Sequence, residues 1–275
     1  QQVFGASAFE ALMAHVSGDE FASVWDFDAE IMMSRTAFIE QEMFGQARYR
    51  YKANTRVATL HLWTGVSKQQ LVLGLTPEIE RLLEPMAKDV IHRADFQTDA
   101  HGLKPTEFTP RPGETVFLLG DSFTEGMWVE PRETFANLYG RRLLDATIPL
   151  APVNLGVNGY SVMEMRWTLE RFAPLLRPKV AILNLYPNDV AAEMTAAMTT
   201  PERLGASFAA MFESLDAVRA YCEAQGIRMV VALIPGRAQM NDAFRREHPV
   251  HDGFQREVTA WATRSKVPCV DALPY

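Results

Sequence analysis

Gly120, Asp121 and Ser122 follow directly on the apolar run Val116-Phe-Leu-Leu119, and Gly126 comes soon after. Four consecutive apolar residues suit a strand buried on both faces, as in a parallel sheet. Gly120 allows a sharp turn at the strand's end, where a Cβ would clash. The Ser122 hydroxyl then lies at the carboxyl edge of the sheet, where open α/β folds place their ligands. A serine there is a candidate nucleophile. It needs a neighbouring base, usually a histidine held by a carboxylate, and donors for the oxyanion that forms when it attacks a carbonyl. The plainer alternative is an ordinary strand-to-loop turn, which Gly, Asp and Ser all favour.

Two later stretches bear on that choice. Val153-Asn-Leu-Gly-Val-Asn-Gly-Tyr-Ser161 and Leu185-Tyr-Pro-Asn-Asp189 each follow an apolar run in the same way. Together with Gly-Asp-Ser-Phe-Thr-Glu-Gly at 120–126, they resemble the three ordered blocks of the SGNH (GDSL-type) esterase and acylhydrolase family. The resemblance covers roughly residues 110–275. It implies Ser122 as nucleophile, with oxyanion donors from its own backbone N–H, the Gly159 N–H and the Asn188 side-chain amide. Gly159 otherwise reads as a plain Asn-Gly turn, and Asn188 and Asp189 as turn residues after a strand. Asp121 reads as a brace for the loop rather than an acid. Tyr186 and Pro187 depart from the glycine-rich pair usual before Asn-Asp.

The family's last block, Asp-x-x-His, is absent. Asp271 stands near the fifth strand, but position 274 is Pro274. The resemblance therefore places the catalytic acid and base beyond Tyr275, in a chain longer than this one. A stop codon directly after Tyr275 would remove that expectation and bring forward His101, in Asp99-Ala-His101, as an unusual base. That triplet otherwise reads as a turn feeding Gly102. His248-Pro-Val-His251 has the look of a metal site, but Pro249 discourages a helix that would align the imidazoles and a third ligand is not evident. No metal is expected. Without a Gly-rich phosphate loop, no cofactor is expected either.

The 275 residues are 48% hydrophobic and 22% charged, as in an ordinary globular protein. A net charge of −7 without a basic cluster argues against a nucleic-acid partner. No apolar run approaches the length of a membrane span. Cys222 and Cys269 are too few for a disulfide framework and read as buried free thiols. Cysteine use leaves the compartment open, and a bacterial periplasmic or secreted location is the working expectation.

The elements that must position these residues begin near Pro110. Strands are expected at 116–119, 153–155, 179–185, 228–234 and 267–270, alternating with helices. The helix near 132–145 should turn Phe135, Leu138, Tyr139 and Leu143 inward. Ser161 and Glu164 form a capping box for the next, which Pro174 and Pro178 should stop. Ser207 should start a long helix, and Phe254, Val258 and Trp261 mark another. Right-handed crossovers make this a doubly wound sheet of the three-layer α/β/α type, and the resemblance implies the flavodoxin-like strand order 2-1-3-4-5.

Residues 1–110 read as an N-terminal extension or accessory domain, with 111–275 as the hydrolase-like domain. A helix over 6–16 and strands at 48–51 and 58–63, each with one face solvated, are expected. A helix opened by Thr76-Pro77, with a stripe running to Val90, should be split by Pro85. No structure is assigned to residues 20–50 as a whole. The leading expectation is a serine esterase or acylhydrolase acting on an acyl, for example acetyl, ester of a small molecule or glycan. An acyltransferase using the same acyl-enzyme, or a non-catalytic binding module, are the alternatives.

Overall fold

The structure, a computed structural model, describes residues 6–16, 20–26, 29–43, 46–63, 68–190, 201–235 and 249–272. The chain forms two compact units. The first comprises Gln1–Pro105 with Gly126–Thr134, and the second Thr106–Glu125 with Phe135–Tyr275.

In the first unit, helix α1 (Ala6–Val16) precedes strands β1 (Glu20–Asp26), β2 (Ala29–Ser34), β3 (Phe38–Met43), β4 (Gln46–Tyr51), β5 (Arg56–Trp63) and β6 (Lys68–Gly74). Helix α2 (Pro77–Leu83), a 3-10 helix (Glu84–Asp89) and β7 (Val90–Gln97) follow. Five strands form a sheet in the order β1-β2-β6-β5-β7, and β3 pairs with β4 as a separate hairpin. Thr76 caps α2 by accepting from the Ile79 N–H at 3.2 Å, and the helix gives way to the 3-10 turn at Pro85 as expected. Val90 differs from expectation: it opens β7 instead of extending the helix stripe.

The region 20–50, read as unassigned, contains β1 to β3 and most of β4. Strand β5 does not have a solvated face. Leu60 and Leu62 pack under α1 and α2 with Leu12, Ile79 and Leu83. Val57 joins Phe38, Tyr51 and Phe96 in a second core, and Thr59 is fully buried between them in sequence. A sheet covered on both sides loses the alternation that the sequence suggests.

The second unit alternates strand and helix: β8 (Thr115–Gly120), α3 (Ser122–Glu125), α4 (Phe135–Asp145), β9 (Ala151–Gly156), α5 (Val162–Leu176) and β10 (Val180–Leu185). A 3-10 turn (Pro187–Val190), α6 (Pro201–Gln225), β11 (Arg228–Leu233), α7 (Pro249–Ser265) and β12 (Cys269–Asp271) complete it. The five strands are parallel and lie in the order β12-β11-β10-β8-β9. Numbered within the unit this is 2-1-3-4-5, a three-layer flavodoxin-like sheet. Every residue of β8 is buried, so its apolar run is that of a central parallel strand.

Three local expectations need correction. Phe135 and Leu138 are 44% and 51% exposed, while Ala136, Asn137, Gly140 and Leu143 form the buried face of α4. Close packing selects that face, since a Cβ on Gly140 would lie 2.2 Å from the Phe108 ring. Helix α5 continues through Pro174 and ends at Arg177, which adopts a left-handed conformation with φ 44°. Helix α6 starts at Pro201, before Ser207. The capping box at Ser161 is present, its N–H donating to Glu164 Oε2 at 2.8 Å.

Both cysteines are free thiols. Cys222 is buried, and burial, with the charge of Glu223, pushes its pKa up to about 12. Cys269 is only half-buried, which corrects the expectation for that residue.

Candidate active site

Strands β8 and β9 run in register to their ends, with Gly120 opposite Gly156. Short helix α3 lies across that edge. A Cβ on Gly120 would sit 2.0 Å from Thr124 Oγ1, and one on Gly156 only 2.3 Å from the Glu125 backbone nitrogen. The second clash is with backbone, which cannot move aside, so Gly156 admits no larger residue. Here the chain brings the first and second sequence blocks into contact. The Val157 N–H donates to the Gly120 carbonyl at 3.2 Å, and the Asn158 N–H donates to Glu125 Oε2 at 2.7 Å. Gly159 follows with φ +73°, exposed at the surface.

The third block arrives on β10, the neighbour of β8 on its other side. Asn188 is exposed, and its Nδ2 donates to Asp121 Oδ2 at 3.2 Å. Asp121 also accepts from the Phe123 N–H at 3.0 Å on its other oxygen. It is thus hydrogen-bonded to a side chain of the third block and to the backbone just after Ser122. Ser122 itself is half-buried. Ser122, Gly159 and Asn188 all reach solvent at the carboxyl edge, while Asp121, Glu125, Asn158 and Asp189 are buried behind them.

Asp189 accepts from the Tyr186 N–H at 2.7 Å, but its second oxygen, Oδ1, is buried and has no partner among the described residues. Burial raises the Asp189 pKa well above the ordinary carboxylate range, and the nearby charges of Asp121 and Glu164 add to this. Burial raises Asp121 too, opposed by its bonds from Phe123 and Asn188. A carboxyl with a raised native pKa contributes stability that is complete below its unfolded pKa and is lost as pH rises through the folded one. Asp189→Asn should therefore be more stable than wild type at about pH 8. The gap should close towards about pH 4. Denaturant melts of both proteins across that range check this. A gap that is constant with pH, or that widens on acidification, contradicts it.

Glu125 and Asn158 were not singled out by sequence reasoning. Glu125 stands inside the first block, but a buried acid has no periodic signature; its proximity to Ser122 was the only available sign. Asp99 behaves as a turn residue, with Oδ1 accepting from the N–H groups of His101 and Leu103 at 2.8 and 2.9 Å. His248 and the His251 side chain lie outside the described residues. Pro249 begins α7 instead of blocking it, so His248 precedes the helix that carries His251. Among the described residues no group of three or more His, Cys, Asp or Glu could hold a metal ion, and no helix is long and apolar enough to cross a membrane.

Comparison with known proteins adds to this geometry. The chain is similar in structure to TesA, with 17% identity over 56% of this chain and 76% of that one and a TM-score of 0.44. It is similar to the acetyl xylan esterase AlAXEase at 15% identity, over 58% and 78%, with a TM-score of 0.47. The psychrotrophic esterase EstA from Pseudoalteromonas sp. gives 14% identity over 57% and 76%, with a TM-score of 0.42. No curated protein sequence matches. The profile of the GDSL-like Lipase/Acylhydrolase family, however, matches residues 118–275, which hold all three blocks and more than half of the chain. With those blocks gathered at one edge of a 2-1-3-4-5 sheet, the chain belongs to the GDSL-like lipase/acylhydrolase family and is a hydrolytic enzyme acting on ester bonds.

Proposed function

We propose that the enzyme cleaves an acyl ester of a small molecule or glycan through an acyl-enzyme on Ser122. The observation that carries this reading is the bond from the Asn188 amide to Asp121. It holds the amide of the third block beside the residue that precedes Ser122. One amide hydrogen of Asn188 is used there, and the other is left for an oxyanion. Ser122 Oγ attacks the ester carbonyl while a histidine base takes its proton. The carbonyl oxygen becomes an oxyanion, which accepts from the Ser122 and Gly159 N–H groups and the Asn188 amide. Collapse expels the alcohol with that proton and leaves the acyl group on Ser122. Attack by water then releases the acid and restores the serine.

Whether water or a sugar hydroxyl takes the acyl group, one feature supports a glycan at the site. The Phe123 and Tyr186 rings stack with centroids 4.2 Å apart, and Phe123 is 48% exposed. Phe123 follows Ser122 and Tyr186 stands two residues before Asn188, and we infer that the outer face of this ring pair offers a flat apolar surface for a pyranose. Tyr186→Ala should raise KM for an acetylated pyranoside about tenfold, a loss comparable to that of one aromatic contact. It should leave kcat/KM for methyl acetate nearly unchanged. Equal effects on both substrates contradict a sugar-binding role. Product analysis with and without a free acceptor sugar tests the reaction: acetate alone indicates hydrolysis, and a newly acetylated sugar indicates transfer.

A further inference from the structure

We propose that Glu125 is a positioning residue for the oxyanion hole, anchoring against α3 the turn that presents the Gly159 N–H. The inference rests on Gly159 being an oxyanion donor, as proposed above. Residues 157–160 form a turn closed by the Tyr160 N–H donating to the Val157 carbonyl at 3.1 Å. Gly159 has φ +73°, whereas Asn158 is not among the residues with positive φ. Positive φ at the third position alone is the type II pattern. In a type I turn the peptide joining the two central residues is rotated by about 180°. That peptide carries the Gly159 N–H. A turn that relaxed to type I would therefore aim this donor away from the oxyanion.

Glu125 holds the turn at its other central residue. Its carboxylate, fully buried, accepts from the Asn158 N–H at 2.7 Å. Its carbonyl accepts from Asn154 Nδ2 at 3.3 Å, on the strand that leads into the turn. Its own N–H donates to the Asp121 carbonyl at 2.9 Å, and Gly156 packs directly against that nitrogen. One short helix, α3, thus carries both the candidate nucleophile and the clamp on the turn that follows β9. Burying an acidic side chain is costly unless its oxygens are hydrogen-bonded. The bond from the Asn158 N–H fixes where the turn, and with it the Gly159 N–H, stands relative to Ser122 on the same short helix.

The test compares Glu125→Gln, which keeps an acceptor oxygen, with Glu125→Met, which keeps length but not the acceptor, in the full-length protein. Turnover of methyl acetate and the rate of labelling by a fluorophosphonate are measured together with thermal melts. Glu125→Met should lose kcat by up to about 10²-fold, the scale of a misplaced catalytic group. Its KM should stay within about threefold, because the donor acts mainly in the transition state. Glu125→Gln should recover most of the lost kcat. A folded Glu125→Met protein with wild-type kcat overturns the proposal, as does a defect confined to KM or one that Gln does not relieve. If Glu125→Met does not melt cooperatively, Glu125→Asp, one methylene too short to reach Asn158, is judged by the same criteria. A wild type that neither turns over ester nor labels overturns the Ser122 assignment and this inference with it. A labelled wild type with an unaffected Glu125→Met overturns this inference alone.

Discussion

Replacing Ser122 by alanine is expected to lower kcat for ester hydrolysis by on the order of 10⁴–10⁶-fold, the range seen when a serine nucleophile is removed. The substitution deletes one oxygen from a half-buried side chain on the short helix after β8. It opens no core cavity, so the melting temperature should hardly move. The proposed oxyanion donors at Gly159 and Asn188 remain, and residual catalysis of about 10³–10⁴ over water can survive on them. Initial rates on a short acetate ester, with a matched melt, measure both quantities. A folded Ser122→Ala protein that keeps a tenth or so of its activity would contradict a serine acyl-enzyme.

Removal of the Asn188 amide should be the next largest loss. Asn188→Ala is expected to reduce kcat by on the order of 10²–10³-fold, the usual effect of deleting one oxyanion donor. KM should change far less, since the bond tightens as charge develops on the oxygen. Two events combine here. In the proposed site the oxyanion loses a donor, and Asp121 loses the bond that opposes the upward pull of burial on its pKa. Stability should fall modestly, because Asn188 itself is exposed. A variant that loses stability and keeps its kcat makes Asn188 a turn residue, as the plainer reading of Asn-Asp suggests.

The parallel domain was largely legible because its strands are written in one continuous apolar code. Thr115–Gly120 is buried at every position, so no alternation obscures it. The capping box at Ser161 is likewise a local rule that the fold obeys. What was missed follows from features that hydrophobic periodicity does not encode. On α4 the large apolar residues Phe135 and Leu138 mark the outer face, because Phe108 lies against the small residue Gly140. Strand β7 was hidden by its charged members: Ala94 and Phe96 point inward, while His92 and Arg93 are exposed. Pro174 sits in the final turn of α5, where the helix is about to end and a lost hydrogen bond disrupts little beyond it.

The site was legible to a different depth. Ser122, Gly159 and Asn188 stand at strand ends, where spacing and residue type already suggest exposure. Their supports do not announce themselves. Asp121 was read as a brace, and its bonds to Asn188 and the Phe123 N–H have that form. Glu125 looks in the sequence like a solvated acid between Thr124 and Gly126, yet it is fully buried against the second block. Only the three-dimensional meeting of α3 with a turn 33 residues further along the chain reveals why an acidic side chain stands there.

The central claim is that Ser122 forms a covalent bond with the acyl group, and the most direct measurement is mass spectrometry of the full-length protein after exposure to a fluorophosphonate. Wild type should gain one adduct, mapped to the peptide containing Ser122, and Ser122→Ala should gain none. An adduct on a different serine, or none on folded wild type, would contradict the account.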